Sequence, residues 1–415
     1  MRKIYRVGGK WNKPDWYDPF GSDPNHPTLI CVKEEAEHAL RKRQISSLYS
    51  MSTLVHYEPA VDRAVEVCIN RLQDLSVSHR DERGAPFDLP EFLQCLAFDI
   101  ISQITFDESL DLMTRGPKTD GLLGAIRSVF YVAAIMAPVP ALYNFVQRLV
   151  SFVGRFYSNA YSPLQKLLAL VSAKAEHYQR MTGVRKSVSD KGEPFVAKVV
   201  GLVTGGKLHP RGILDTCGSN YVAGSDTTGI AISAIIWHIY HHPEKLTRLR
   251  AEIEASGPGP IRFAQAQALP YLNAVISEAM RLHPSIVSIS PREVPEGGEY
   301  LAGHYFPAKT QVGVSAWSIH RNPEVSGPDA DVFRPERWLE NNGNALGSEK
   351  KAEMSFAFAG GTRSCLGKNI ALLEITKAVP EIVRRVDLVF AEQSYTNVTC
   401  GLVWPQYHVW IKQSG

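Results

Sequence analysis

The chain is expected to be mainly α-helical with small β-sheets. Three observations carry that expectation. Apolar residues recur at helical spacing over long stretches. One stretch, from about Arg211 to His241, is long enough to cross a large domain. Strand-like runs are short and sit in the last third of the chain.

The elements follow in order. Residues 1–30 are rich in Gly, Pro, Asp and aromatics and read as loop. Helical periodicity runs from near Lys33 to about Ser50, from Tyr57 to His79 and from Pro90 to Phe106. Residues 120–180 read as helices, and 181–194 as a polar loop. The long helix lies between His209-Pro210 and His242-Pro243 and would extend about 45 Å. It is apolar nearly all round past Gly229, so it is expected to be buried. Further helices are expected at Pro243–Ala255 and Pro270–Arg281, with proline in the first turn, and from near Lys368. Strands are expected at 299–306, 310–315 and near 397–411.

Composition bounds the function. Of the 415 residues, 44% are hydrophobic, enough for a large core. The net charge of +3 is too small to argue for nucleic acid. Cys31, Cys68, Cys95, Cys217, Cys365 and Cys400 form no C-x-x-C pair and fit no zinc or disulfide framework, which suggests a reducing compartment. Asn397-Val398-Thr399 reads as a chance sequon. Met1-Arg2-Lys3 leads into a polar, aromatic segment rather than a signal peptide. The apolar stretch Val129–Val150 is interrupted by Pro138, Pro140, Asn144 and Gln147, a poor membrane span. It reads as a loop or short amphipathic helices over an apolar cavity, and leaves room for contact with a membrane surface.

The most informative segment is Phe358-Ala359-Gly360-Gly361-Thr362-Arg363-Ser364-Cys365-Leu366-Gly367. It sets one cysteine in a glycine-rich loop before a helix. Helix N-termini lower a thiol's pKa, glycines permit a tight turn, and Arg363 is a permanent cation suited to a carboxylate. The sulfur reads as a metal ligand with an anionic group nearby, or as a structural thiol. A second unusual segment, Ala223-Gly224-Ser225-Asp226-Thr227-Thr228, lies mid-way along the long helix. Either its threonine hydroxyls bond carbonyls one turn earlier, or the helix opens locally at this point.

Phe358, Gly361, Arg363, Cys365 and Gly367 fit Phe-x-x-Gly-x-Arg-x-Cys-x-Gly, and with them the chain resembles the cytochromes P450, the haem-thiolate monooxygenases. The resemblance runs from about Ile4 to Trp410. It implies the cytochrome P450 fold: a long central helix over haem b, with the cysteine loop below. Cys365 would be the iron ligand, and Phe358, Arg363 and Gly367 would shape the haem-binding loop. Ala223 and Gly224 would leave room above the porphyrin. Asp226 and Thr227 match the family's acid–alcohol pair for proton delivery. Arg292, His38 and Lys42 would join Arg363 at the propionates, with arginine commoner than lysine at position 42. Glu278-x-x-Arg281 and Arg337, in Phe333-Arg334-Pro335-Glu336-Arg337-Trp338, would form a buried structural ion network. Motifs that must meet are scattered from residue 38 to 367, which favours one domain over 1–415.

The resemblance also implies partners: a lipophilic small molecule, O2 and a separate NADPH-dependent flavin reductase. Substrate contacts would come from residues 10–30, 120–150, Ser285–Ser290 and Asn397–Trp404. Tyr17-Asp18-Pro19-Phe20 and Ala316–Arg321 resemble filamentous-fungal members of the endoplasmic reticulum membrane, facing the cytosol. Against those, the anchor and first sheet strands are expected to be missing, on the order of one hundred residues. The alternative is a non-catalytic haem-binding or inactive truncated form. A cysteine hydrolase fits less well, since no His/Asn partner pattern accompanies Cys365.

Overall fold

The computed structural model describes residues 1–21, 26–78, 86–116, 121–146, 163–182, 193–339 and 353–412. Its longer helices are α1 (Glu35–Ile45), α2 (Glu58–Ser78), α3 (Leu89–Phe106), α4 (Leu122–Met136), α5 (Pro163–Thr182), α6 (Phe195–Thr204), α7 (Gly212–Tyr240), α8 (Pro243–Ala255), α9 (Pro270–Leu282) and α10 (Lys368–Arg385). Local chemistry sets several of their starts. Asp88 caps α3 by accepting a hydrogen bond from the Glu91 N–H at 2.9 Å, with Pro90 in the first turn. Pro243 and Pro270 open α8 and α9, where a missing N–H costs nothing. The first expected helix is shorter than its periodicity: α1 ends at Ile45 and continues as a 3-10 turn, Ser46–Tyr49.

The strands are short and antiparallel. β1 (Phe87–Asp88), β9 (His408–Lys412) and β6 (Asp387–Phe390) form one sheet in that order. β2 (Arg292–Glu293) pairs with β5 (Gln311–Val312), with Arg292 opposite Val312. β3 (Glu299–Leu301) and β4 (His304–Phe306) form a hairpin, as do β7 (Thr396–Cys400) and β8 (Leu402–Gln406). Periodicity missed β1, β2 and β6, because runs of two to four residues carry too few side chains to show alternation.

The core forms around α7. Its face from Ile230 to Ile236 is buried and packs against α3, α9 and α10. Gly229 lets α3 come close: a Cβ there would lie 2.8 Å from the Gln94 Cα. Along Val129–Val150, α4 is followed by a second helical segment at residues 140–146. Val132, Ile135, Val139, Leu142 and Phe145 are exposed along this stretch. No helix among the described residues is long and apolar enough to cross a membrane. Residues 147–162, and 183–192 of the expected polar loop, lie outside the described residues.

Candidate active site

The loop before α10 is held by its own backbone. The Cys365 N–H donates to the Phe358 carbonyl at 3.0 Å. Ala359 and Gly361 take positive φ of 54° and 67° to make the turn. A Cβ on Gly361 would overlap the Tyr5 carbonyl, so only glycine fits there. Lys42, from α1, reaches across to donate to the carbonyls of Thr362 and Ser364 at 3.0 and 3.1 Å. The Lys368 ammonium sits 5.6 Å from the centre of the Phe358 ring.

Cys365 is exposed, yet burial raises its thiol's pKa; the Gly367 and Lys368 N–H groups and Lys42 pull the other way. A lowered thiol pKa was expected from the helix N-terminus. The correction has a simple cause: desolvation outweighs the amide and ammonium contributions. α7 has a matching break in its burial. Ala223 is exposed and Gly224 and Thr227 are half-buried, although Ser225, Asp226 and Thr228 beside them are buried. A Cβ on Gly224 would make only ordinary contact, 3.5 Å from Ile101.

Near the loop lies a cluster of basic side chains. Lys13, His38 and Arg292 are 6, 4 and 3% exposed. The Lys13 ammonium donates to the Ile30 carbonyl at 2.5 Å. Arg292 donates to the Tyr17 hydroxyl at 2.9 Å and to the Pro291 carbonyl at 2.8 Å. Arg363 donates to the carbonyls of Val32 and Lys33 at 2.5 and 2.6 Å. Burial first, and mutual repulsion second, lower the pKa of Lys13 well below its ordinary value, of Arg363 to about 10 and of His38 to about 3. Arg363 Nε and His38 Nδ1 are buried without a partner. Among the described residues, no carboxylate is ion-paired to Lys13, Arg292 or Arg363. Buried cations of this kind call for an anion. Lys13 carried no individual signal in the sequence beyond its place in residues 10–30, and Tyr17 only that of the Tyr17-Asp18-Pro19-Phe20 stretch.

The predicted acid and alcohol separate. Residues 212–240 form continuous α-helix, so the local opening expected of α7 is not observed. The hydroxyls are satisfied within the helix: Ser225, Thr227 and Ser233 each donate to a carbonyl four residues earlier, Thr227 to Ala223 at 2.6 Å. The Thr227 carbonyl accepts from Ser285 at 2.8 Å. Asp226 is fully buried against α3, where the Gln94 side-chain amide donates to its Oδ1. Burial raises its carboxyl pKa to about 7, against the opposing pull of Arg127 and the Trp404 indole. Gln94, Arg127 and Trp404 lie far along the chain from Asp226, Gln94 by 132 residues, and the motif names none of them.

The expected ion network is present. Glu278 accepts two hydrogen bonds from Arg281, both at 2.9 Å, one from Arg337 at 2.8 Å and one from the Trp338 indole at 2.9 Å. The three charged side chains are at most 1% exposed. His320 links this network to the cysteine loop: Nδ1–H donates to the Arg281 carbonyl at 2.9 Å, and Nε2 accepts from the Phe356 N–H at 3.0 Å.

The cytochrome P450 family model matches residues 7–409. The chain belongs to the cytochrome P450 family. It is 38% identical over 419 residues to a pisatin demethylase of Fusarium vanettenii, covering 99% of this chain and 79% of the relative. It is 32% identical over 406 residues to the cytochrome P450 monooxygenase cicH of Emericella nidulans, covering 94% and 77%. A crystal structure of a cytochrome P450 superposes with TM-score 0.76 at 20% identity, over 97% of this chain and 85% of the other. The mainly helical fold with small sheets is thus that of the family, and the chain is a haem-thiolate monooxygenase whose cofactor is haem b. O2, a lipophilic substrate and a redox partner go with that chemistry. The residues fit the group: a reachable thiol beside unneutralised buried cations suits a metal macrocycle that carries two carboxylates.

Proposed function

We propose that this cytochrome P450 oxidises a lipophilic secondary metabolite, taking electrons from an NADPH-dependent flavin reductase at the endoplasmic reticulum membrane. In the net reaction one oxygen atom of O2 enters the substrate and the other leaves as water. Two electrons come from the reductase and two protons from solvent. Haem, when bound, supplies O2 activation. The protein residues supply the rest. Cys365 is the proposed iron ligand, and the N–H groups of Gly367 and Lys368 favour its thiolate. Phe358 and Gly367 shape the loop that carries it. Arg292, Arg363 and His38 hold the propionates, with Lys13 behind them, while Lys42 braces the loop through Thr362 and Ser364. Ala223 and Gly224 keep the distal face of the pocket low. Asp226, with its pKa near neutrality, holds and releases a proton. Thr227 spends its hydroxyl proton on Ala223 and keeps its lone pairs for a donor on the open side.

The observation that carries this reading is the cluster of buried cations without carboxylate partners beside the Cys365 loop. Relatives named pisatin demethylase make loss of a methyl group the first reaction to test. The test reconstitutes the haem-loaded chain with a flavin reductase, NADPH and a panel of lipophilic methyl ethers under labelled O2. Demethylated product and formaldehyde, which carries the label until it exchanges with water, are expected together with NADPH consumption. Haem uptake with no turnover on any compound would favour the non-catalytic haem-binding alternative.

A further inference from the structure

Asp226 is surrounded by more than its hydrogen-bond partner. A small cavity of about 10 Å³ is lined by Asp226 together with Pro90, Gln94, Arg127, Trp404 and Gln406 among others. That volume is about one water. By strict hydrogen-bond geometry three buried polar atoms of the residues lining it are unsatisfied, Asp226 Oδ2, Arg127 Nε and Trp404 Nε1, although the indole lies close enough to the carboxyl to lower its pKa. Two are obligate donors and the third is an acceptor when ionised. A water satisfies all three at once. It accepts from the guanidinium and the indole and donates to the carboxylate. Without it each group would bear the cost of an unmade bond.

The second link to Asp226 is ordered in polarity. The Arg127 guanidinium donates to Gln94 Oε1 at 2.7 Å. That fixes the amide orientation, and the amide nitrogen in turn donates to Asp226 Oδ1. Arg127 comes from α4 and is half-buried, whereas Asp226 is fully buried. Its guanidinium lies 6.0 Å from the Trp404 ring, which stacks on Tyr131 at a centroid distance of 6.0 Å.

We infer that Arg127, Gln94 and Trp404 hold Asp226 around one internal water, and that this cluster sets the pH at which Asp226 takes up and releases its proton. The inference rests on Asp226 being the proton donor of the proposed function. Arg127 and Gln94 are positioning residues in this scheme: they touch the acid, not the substrate. Arg127 is the charged group that faces the carboxyl from α4, while α3 offers the Gln94 amide and β8 the Trp404 indole. Two of these residues, on α4 and β8, belong to the segments expected to meet substrate, so filling the pocket would bear directly on the proton supply.

The test uses the haem-loaded full chain and the variants Arg127→Gln, Arg127→Lys, Trp404→Phe and Asp226→Asn. The first readout is the infrared C=O stretch of the resting protein as pH is varied across neutrality. Wild type should show a titrating carboxyl band that Asp226→Asn removes. Arg127→Gln should move its midpoint up by about one pH unit, because a cation that favours the charged form is gone. Arg127→Lys should restore most of the shift. Trp404→Phe, which keeps the ring and loses the donor, should move it the same way, and it serves if Arg127→Gln does not fold. The second readout is the share of NADPH electrons recovered in product, expected to fall severalfold in Arg127→Gln, with its pH profile displaced alkaline. A midpoint and pH profile identical to wild type in both Arg127→Gln and Trp404→Phe would overturn the inference while leaving the proposed function standing. Absence of turnover in wild type would overturn the function, and the infrared shift would then decide the cluster by itself.

Discussion

Replacing Glu278 with Gln takes one negative charge from between two buried guanidinium groups. The carboxylate accepts four side-chain hydrogen bonds, and the Arg334 N–H adds a fifth at 2.9 Å. An amide keeps one acceptor oxygen and turns an N–H₂ toward donors that need an acceptor. Arg281, which is 0% exposed, then has only carbonyl partners. Arg337 keeps one carboxylate, Asp329, at 3.1 Å. Breaking a buried ion pair from one side costs about 3–5 kcal/mol, which is a shift of roughly two to three and a half powers of ten in the folding equilibrium. Such a loss is a large part of a domain's usual stability of about 5–15 kcal/mol. The damage should be felt first at the cysteine loop, because His320 ties the Arg281 carbonyl to the Phe356 N–H. The assay is urea unfolding of the haem-loaded protein, followed by far-ultraviolet circular dichroism and by haem absorbance. Glu278→Gln should lower both midpoints, with haem absorbance lost no later than helix signal. A change below about 1 kcal/mol, the scale of an exposed pair, would refute the reasoning.

Two other predictions concern protons. Burial lowers the pKa of His283 and His320 to about 4 each, and His320 Nε2 must stay unprotonated to accept from Phe356. Their unfolded value is about 6.5, so the unfolded chain takes up protons first as pH falls. Stability should be full above about pH 6.5 and decline toward pH 4, by up to about 3 kcal/mol per histidine. Urea midpoints measured across that range check it, and a flat profile would contradict it. Thr227→Ala should leave NADPH and O2 consumption running while product falls, since the pocket keeps its shape but loses a hydroxyl. If electrons are still fully recovered in product, Thr227 has no part in proton delivery.

Much of the fold was legible because its helices are long. The pattern from Arg211 to His241 lies within a residue of α7 at each end, and the prolines at 243 and 270 open α8 and α9. The cysteine loop and the Glu278, Arg281 and Arg337 set were legible because each is a fixed spacing of unusual residues. The surroundings of Asp226 were not. Gln94 is an ordinary helix residue until α3 crosses α7 at Gly229. Arg127 reads as a solvated charge and Trp404 as an apolar strand residue, and only tertiary packing makes them neighbours. The burial that raises the Cys365 and Asp226 pKa values is likewise a property of the assembled fold, so a helix N-terminus alone gave the wrong direction for the thiol.

The whole account turns on the sulfur of Cys365. Its most direct test is the carbon monoxide difference spectrum of the reduced, haem-loaded protein, compared between wild type and Cys365→Ala. Wild type should show the thiolate-ligated Soret band, and Cys365→Ala should lose it even where haem is retained. An identical thiolate band in both proteins would mean that another group holds the iron, and the assignment of this site would be wrong.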